Sequence, residues 1–262
     1  MESIIIGLIL IALGVFCSVY VHRRIKNKNL EIQFMRTSTI GEVEKNLREN
    51  EAAGLTGYRE YVELKGIADV GTPQETPYSK RNVAYYQAEL YQVYEELCTY
   101  KDDKGHTRQR MEKRESQISS QKSSGNLILK DAVSGDQVYI ALSDAGMDLD
   151  TFKDFDRFEP LNMMQQYSFF DALRFNPMGA RTLGYRMTEN VIPLGHSLYV
   201  LGEAYLENGR VWVGKPSDRK KPFIVSVRSE TDLVESNKFK ARLAFFGGIA
   251  LGIIGISVML FG

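Results

Sequence analysis

Two uncharged stretches, one near each end, constrain this 262-residue chain more than anything between them. Ser3 to Val21 is 19 residues without a charged side chain, dense in Ile, Leu and Val, and Leu243 to Gly262 is another 20. A bilayer core takes about 20 apolar residues of helix, so residues 3–21 and 243–262 are expected to be transmembrane helices. A cleaved signal peptide carries its positive charge ahead of the apolar run and small residues near its end. Here Glu2 precedes the run, and His22, Arg23, Arg24, Lys26 and Lys28 follow it, which points to an uncleaved anchor. Basic residues beside a span stay cytoplasmic. One cluster follows the first span, and Lys238, Lys240 and Arg242 precede the second. The expectation is an integral, double-pass membrane protein with residues 22–242 in the cytoplasm and both termini on the opposite side.

Small residues mark both spans. Gly248 and Gly252 have the small-xxx-small spacing that lets helices approach closely, and Gly7 and Gly14 lie two turns apart on one helical face. These four are the candidate packing residues, either between the two spans or in a homo-oligomer. Elsewhere the charge is balanced, with 33 basic and 33 acidic residues, so no global field draws nucleic acid. The two cysteines, Cys17 and Cys98, exclude a disulfide framework and suit a reducing compartment.

The segment between the spans begins with a linker and an amphipathic helix, residues 22–57. Leu30 to Met35 reads as a short extended link. Thr39 stands three residues before Glu42, a capping-box spacing. Ile40, Val43 and Leu47 then share one face of a helix from about Ile40 to Ala53. From Tyr58 the period becomes two: Val62 and Leu64 alternate with Glu63 and Lys65, the pattern of a half-buried strand. Residues 71–82 form a loop broken by Pro73 and Pro77. Residues 82–100 fit either a strand or a helix, and their aromatic content favours the strand. Residues 101–126 are almost free of apolar side chains and read as an exposed, mobile excursion carrying Arg108, Arg110, Lys113 and Arg114. A hairpin follows, turning at Ser134-Gly135-Asp136. Residues 144–182 read as irregular, with aspartates at 148, 150, 154 and 156 and the aromatics Phe152, Phe155, Phe158, Tyr167, Phe169, Phe170 and Phe175. An EF-hand loop counted from Asp148 would need glycine at its sixth position but finds Lys153 there. After residue 184 strands run in series, with a turn at Pro193-Leu194-Gly195 and an Asn-Gly hairpin turn at Asn208-Gly209. Gly202 suggests a bulge or a close backbone approach inside its strand. A polar link, residues 231–242, leads to the second span.

The stretches ENVIPLGHSLYVLGEA and ENGRVWVGKP, a polar link and then a span resemble the GIDE family, whose best-known members are mitochondrial ubiquitin ligases of the MULAN/MAPL type. YVELKGIADVGTPQETPYSKRNVAYYQAELY resembles an earlier part of the same family, so the likeness extends over nearly the whole chain. It implies a mainly β (β-rich α+β) beside-a-membrane (BAM) domain, residues 58–230, forming one compact unit flanked by two transmembrane helices. It also marks Glu189, Pro193, Gly195, His196, Gly202 and Glu203 as motif positions and candidates for binding. In the ligases a RING finger follows the second span and recruits an E2 enzyme. A RING needs eight Cys or His ligands for two zinc ions. This sequence has two cysteines, three histidines and no C-x-x-C. The expectation is therefore a chain that ends in the membrane, without the effector domain. The resemblance would also place the middle domain in the intermembrane space, against the basic flanks.

Motifs for hydrolase, phosphate-loop or zinc-protease chemistry are absent from the sequence. His196 near Glu189 or Glu203 is the nearest approach to an acid/base pair, and no nucleophile or metal set accompanies it. No catalytic residue, metal or cofactor is therefore expected. The expected role is binding, at the membrane surface, of a protein partner, a lipid or a small ligand, in a signalling capacity. The alternative is a part in a ubiquitin-ligase-like pathway beside a separate RING or E2-like protein.

Overall fold

Ser3–Phe34 and Glu230–Phe261 are helical throughout, and each is long and apolar enough to cross a membrane. The computed structural model describes residues 2–102, 105–142, 147–161 and 180–261. The first helical stretch comprises α1 (Glu2–Val15), a π-helical segment (Phe16–Val21) and α2 (His22–Phe34). The extended link expected at Leu30–Met35 is therefore helical to Phe34. The reason is Ile32, which is buried in the core and holds the last turn in register. Likewise the polar link at 231–242 is the first third of one helix, α4 (Glu230–Phe261).

Helix α3 (Ile40–Ala52) follows the sequence closely. The Glu42 N–H donates to Thr39 Oγ1, and the Thr39 N–H donates to Glu42 Oε2, each at 3.2 Å. This is the reciprocal cap that the spacing foretold. Ile40, Val43 and Leu47 are its buried face.

Among the described residues thirteen strands follow: β1 (Arg59–Val70), β2 (Gln74–Glu75), β3 (Asn82–Val83), β4 (Tyr85–Lys101), β5 (Thr107–Lys122), β6 (Leu127–Lys130), β7 (Gln137–Ile140), β8 (Met147–Asp150), β9 (Phe152–Pro160), β10 (Arg181–Ile192), β11 (Ser197–Glu207), β12 (Arg210–Gly214) and β13 (Phe223–Ser226). The described chain is thus strand-rich between two apolar helices, the expected class. The strands distribute over two compact units, not one. The first unit takes Met1–Ile67, Ile128–Asp150 and Ser197–Gly262, and the second takes Ala68–Leu127 and Thr151–His196.

In the first unit a seven-stranded sheet runs β1-β6-β7-β12-β11-β13-β8. β1 also pairs antiparallel with β11, from Arg59↔Tyr205 to Ile67↔Ser197. That pairing closes β1, β6, β7, β12 and β11 into a ring, with β13 and β8 continuing from β11. Closure removes free edges from these five strands. Asn208 and Gly209 take φ of 52° and 73°, as a primed hairpin turn between β11 and β12 requires. Gly202 is not a bulge, because the β1–β11 register runs through it unbroken. It is a close approach: a Cβ there would lie 2.9 Å from the Gly214 carbonyl oxygen and from Phe223.

The second unit carries an antiparallel sheet, β5-β4-β10-β9. Val83, Tyr86, Ala88 and Val191 form one buried cluster and Leu90, Tyr185 and Met187 another, with Tyr78 packed against both. Residues 82–100 are mostly strand, as their aromatics suggested. The excursion expected at 101–126 is in the main a strand: β5 pairs with β4 from Gln87↔Lys122 to Lys101↔Thr107. Pairing needs only backbone donors and acceptors, and β5 buries none of its side chains, so apolar alternation never marked it. Residues 147–160 are likewise strands β8 and β9, not irregular chain. Tyr167, Phe169, Phe170 and Phe175 lie outside the described residues.

Candidate functional site

The family-motif residues begin on β10 and pass through a turn into β11. At the turn, Gly195 has φ of 70°, a conformation that favours glycine. The Gly195 N–H donates to the Ala68 carbonyl, and the Ala68 N–H donates to the His196 carbonyl, each at 2.8 Å. Pro193 closes the turn by accepting from the His196 N–H at 3.4 Å. The His196 ring stands edge-on to Phe152, with centroids 4.8 Å apart.

Glu189 is fully buried on β10. Its Oε1 accepts from the Tyr78 N–H at 2.6 Å, and its Oε2 accepts from the Ser79 N–H at 3.1 Å. The carboxylate thus caps the turn before β3. Burial, then the Glu189 charge, pushes the Tyr78 phenol up. Glu203, on β11, accepts from the Ser217 N–H at 2.7 Å, from the Ser217 hydroxyl at 2.8 Å and from Arg59 at 3.3 Å. Burial alone would raise its pKa, but the Ser217 donors and Arg59 outweigh it and hold the carboxyl below its ordinary value. Both motif carboxylates thus spend acceptors on neighbouring backbone and side-chain donors.

Sequence periodicity missed a third carboxylate. Glu63 sits on the expected polar face of β1 yet is 0 % exposed. Its Oε1 accepts from Thr37 Oγ1 at 2.6 Å, and its Oε2 accepts from the Tyr199 hydroxyl at 3.0 Å. Lys65 Nζ lies 3.1 Å from Glu63 and 2.9 Å from Glu230, in the first turn of α4. Burial would lower the Lys65 pKa, but the two carboxylates raise it, and burial beside Glu63 raises the Tyr199 phenol. A cavity of about 300 Å³ opens beside Lys65, Tyr199 and Glu230. Thr37, Tyr199 and the first turn of α4, all distant in sequence from β1, make this network, and no local signal announces it.

The aspartates are divided among cations. Asp148 pairs with Lys28 at 2.7 Å, Asp150 with Arg228 at 2.8 Å and Asp154 with Arg81 at 2.7 Å. Asp156 pairs with Arg186 at 2.7 Å and also with Lys153. Among the described residues no group of His, Cys, Asp or Glu is placed to hold a metal ion. Cys17 and Cys98 are both free thiols.

The apolar helices α1 and α4 pack antiparallel through glycine. A Cβ on Gly14 would lie 2.5 Å from the Gly248 carbonyl oxygen, and one on Gly248 would lie 2.5 Å from the Gly14 carbonyl oxygen. One turn pair further on, a Cβ on Gly7 would lie 2.6 Å from the Gly255 carbonyl oxygen. Gly252 offers backbone to Gly14, but its own Cβ direction is empty to 4 Å. Gly7, Gly14 and Gly248 therefore meet across the pair, with Gly255 as the fourth close contact in place of Gly252.

Where α2 and α4 continue beyond the apolar runs, His22 Nδ1 lies 3.0 Å from the Ala241 carbonyl oxygen. Below that contact a cleft of about 260 Å³ separates the two helices. Asn29 and Asn237 line it, 7 % and 6 % exposed.

No curated protein and no solved structure matches the chain. A family model, GIDE, described as E3 ubiquitin ligase, matches residues 95–261. The match takes in β10, the motif turn, β11 to β13 and all of α4, and starts within β4, so the earlier stretch at residues 61–91 lies outside it. It spans more than half of the sequence, and on that ground the chain belongs to the GIDE family.

Proposed function

We propose that this chain is a double-pass membrane protein whose strand-rich part is a binding module at the cytoplasmic membrane surface, with no catalytic step of its own. One cluster carries the reading. Ile32 of α2 and Leu233 and Val234 of α4 are buried with Tyr199 and Leu201 of β11 and Ile224 of β13. Both helices therefore end in the core of the sheet, and a change in β11 or β13 is felt by the helix pair. Apolar packing of this kind is stiff and transmits displacement.

Within the motif, Glu189, Gly202 and Glu203 serve the fold. The turn from Pro193 to His196 is the part we assign to a protein partner, lipid or small ligand. The close glycine faces are used inside one chain, which favours pairing of the two spans over a homo-oligomer through them.

A second reading rests on the description of the family as E3 ubiquitin ligase. The two cysteines and three histidines of the sequence cannot fill the eight positions of a RING. In this reading the chain works beside a separate RING or E2-like protein.

Photocrosslinking in intact cells from a photoreactive phenylalanine derivative at Leu194 tests both. A saturable adduct with one protein supports the first reading. An adduct with an E2-like or ubiquitin-like protein moves the assignment to the second. Absence of any adduct removes the turn as the binding site. Ubiquitin transfer by the purified chain with only activating and conjugating enzymes present would overturn the non-catalytic role.

A further inference from the structure

The cleft between α2 and α4 contains two buried polar groups without partners. Asn29 Oδ1 and Asn237 Nδ2 are both shut off from solvent and have no hydrogen-bond partner among the described residues. Each such group costs roughly 1–3 kcal/mol when left unmade. One is an acceptor lacking a donor, and the other is a donor lacking an acceptor. Apolar side chains at both positions would remove that cost, so the pair points to an occupant that supplies the missing partners.

The surroundings narrow its chemistry. Lys26, Lys238 and Arg242 line the same cleft, and none has an ion-pair partner among the described residues. No acidic side chain lines it, and Ile25 and Leu30 add apolar wall. Depth narrows it further. Asn29 lies seven residues past His22, and Asn237 five residues before Arg242. At 1.5 Å per residue they stand roughly 12 Å and roughly 9 Å beyond the ends of the apolar runs at Val21 and Leu243. The polar layer of one leaflet is about 5–8 Å thick, so the cleft starts at its base, at His22 and Arg242, and ends with the asparagines just past its outer limit.

We propose that this cleft binds the headgroup of an anionic phospholipid. The phosphate accepts from Asn237 Nδ2 and is neutralised by Lys26, Lys238 and Arg242, while a headgroup hydroxyl or ammonium donates to Asn29 Oδ1. Phosphatidylglycerol has both functions. Phosphatidylcholine has no donor, and its net charge is zero. The inference rests on the double-pass reading above and assigns that reading a lipid at a site separate from the motif turn. A lipid wedged there would set the spacing of the two helices whose ends are buried in the sheet core.

Native mass spectrometry of the full chain, released from micelles doped with equal phosphatidylglycerol and phosphatidylcholine, tests the site. The expected result is one phosphatidylglycerol retained per chain, preferred by about tenfold or more. The double variant Asn29→Leu/Asn237→Leu is expected to lose that preference while keeping its helical circular dichroism and thermal midpoint. The triple variant Lys26→Gln/Lys238→Gln/Arg242→Gln is expected to lose it as well. Equal retention of the two lipids overturns the proposal. So does an asparagine variant that retains phosphatidylglycerol as the parent chain does, which would mean surface charge alone is at work. Displacement of the lipid by millimolar glycerol 3-phosphate would overturn the lipid source in favour of a soluble phosphate ligand. Carbonate extraction of membranes separates this site from its parent reading. A chain released as soluble protein overturns both, whereas a chain that stays in the membrane without lipid preference overturns only the site.

Discussion

At the scale of single residues, three carboxylates are buried among the described residues, and each is held by a different device. Glu189 accepts two backbone N–H groups. Glu189→Ala leaves both donors without a partner inside the second unit and is expected to cost about 3 kcal/mol, read by chemical denaturation of the detergent-solubilised chain. Glu189→Gln keeps one acceptor and should cost less. Glu203 predicts a pH dependence. Its folded pKa lies below its unfolded value, so its contribution is complete above the unfolded pKa of about 4.3. It is lost as pH falls below that value and through the folded one. Ser217→Ala removes one hydroxyl donor and should destabilise by roughly 1.5–3 kcal/mol at neutral pH. Glu203→Gln should flatten the acid limb of the thermal midpoint scanned from about pH 6 to about pH 3. Glu63 was the residue least visible beforehand. Alternation puts it outward with Lys65; Lys65 is exposed, and the inference fails at Glu63 because Thr37 and Tyr199 cover that point of the face.

Among the elements, the helix pair yields the sharpest contrast. Gly14→Ala forces a methyl against the Gly248 carbonyl oxygen, where the ideal separation is 2.5 Å. The helices must part, and a marked fall in the thermal midpoint in detergent is expected. Gly252→Ala places its methyl in open space and gains helix propensity worth about 1 kcal/mol, so its midpoint should hold or rise. Similar losses from both would mean that the contact seen between α1 and α4 is not the one made in the membrane. The β4–β5 pair teaches the opposite lesson about legibility. β4 announced itself by its aromatics, while β5 stayed hidden because none of its side chains is fully buried and Ile118 is the one that packs against a described core cluster. In α3 the cap and the apolar face are both local, and residue spacing alone placed the helix to within a residue.

At the scale of the whole molecule, two signals in the sequence predict opposite faces of a membrane for the strand-rich part. The basic flanks predict the cytoplasm, and likeness to the mitochondrial ligases implies otherwise. Ser119 is exposed on β5. Ser119→Cys in a Cys98→Ser background should resist a membrane-impermeant maleimide added outside intact cells and react after permeabilisation. Labelling before permeabilisation would reverse the topology. Sequence by itself determined the features that depend on spacing and composition: two apolar runs, a capped amphipathic helix, several strands by their period, the Asn-Gly turn and the GIDE likeness. All of these are local, since the residues concerned are neighbours along the chain. Tertiary structure alone decided the division of the strands into two units, the closure of β1 onto β11, the burial of Glu63 and the two unpartnered asparagines between α2 and α4. Each arises where residues far apart in sequence are brought together, and whether a polar group there is solvated, paired or stranded depends on what covers it.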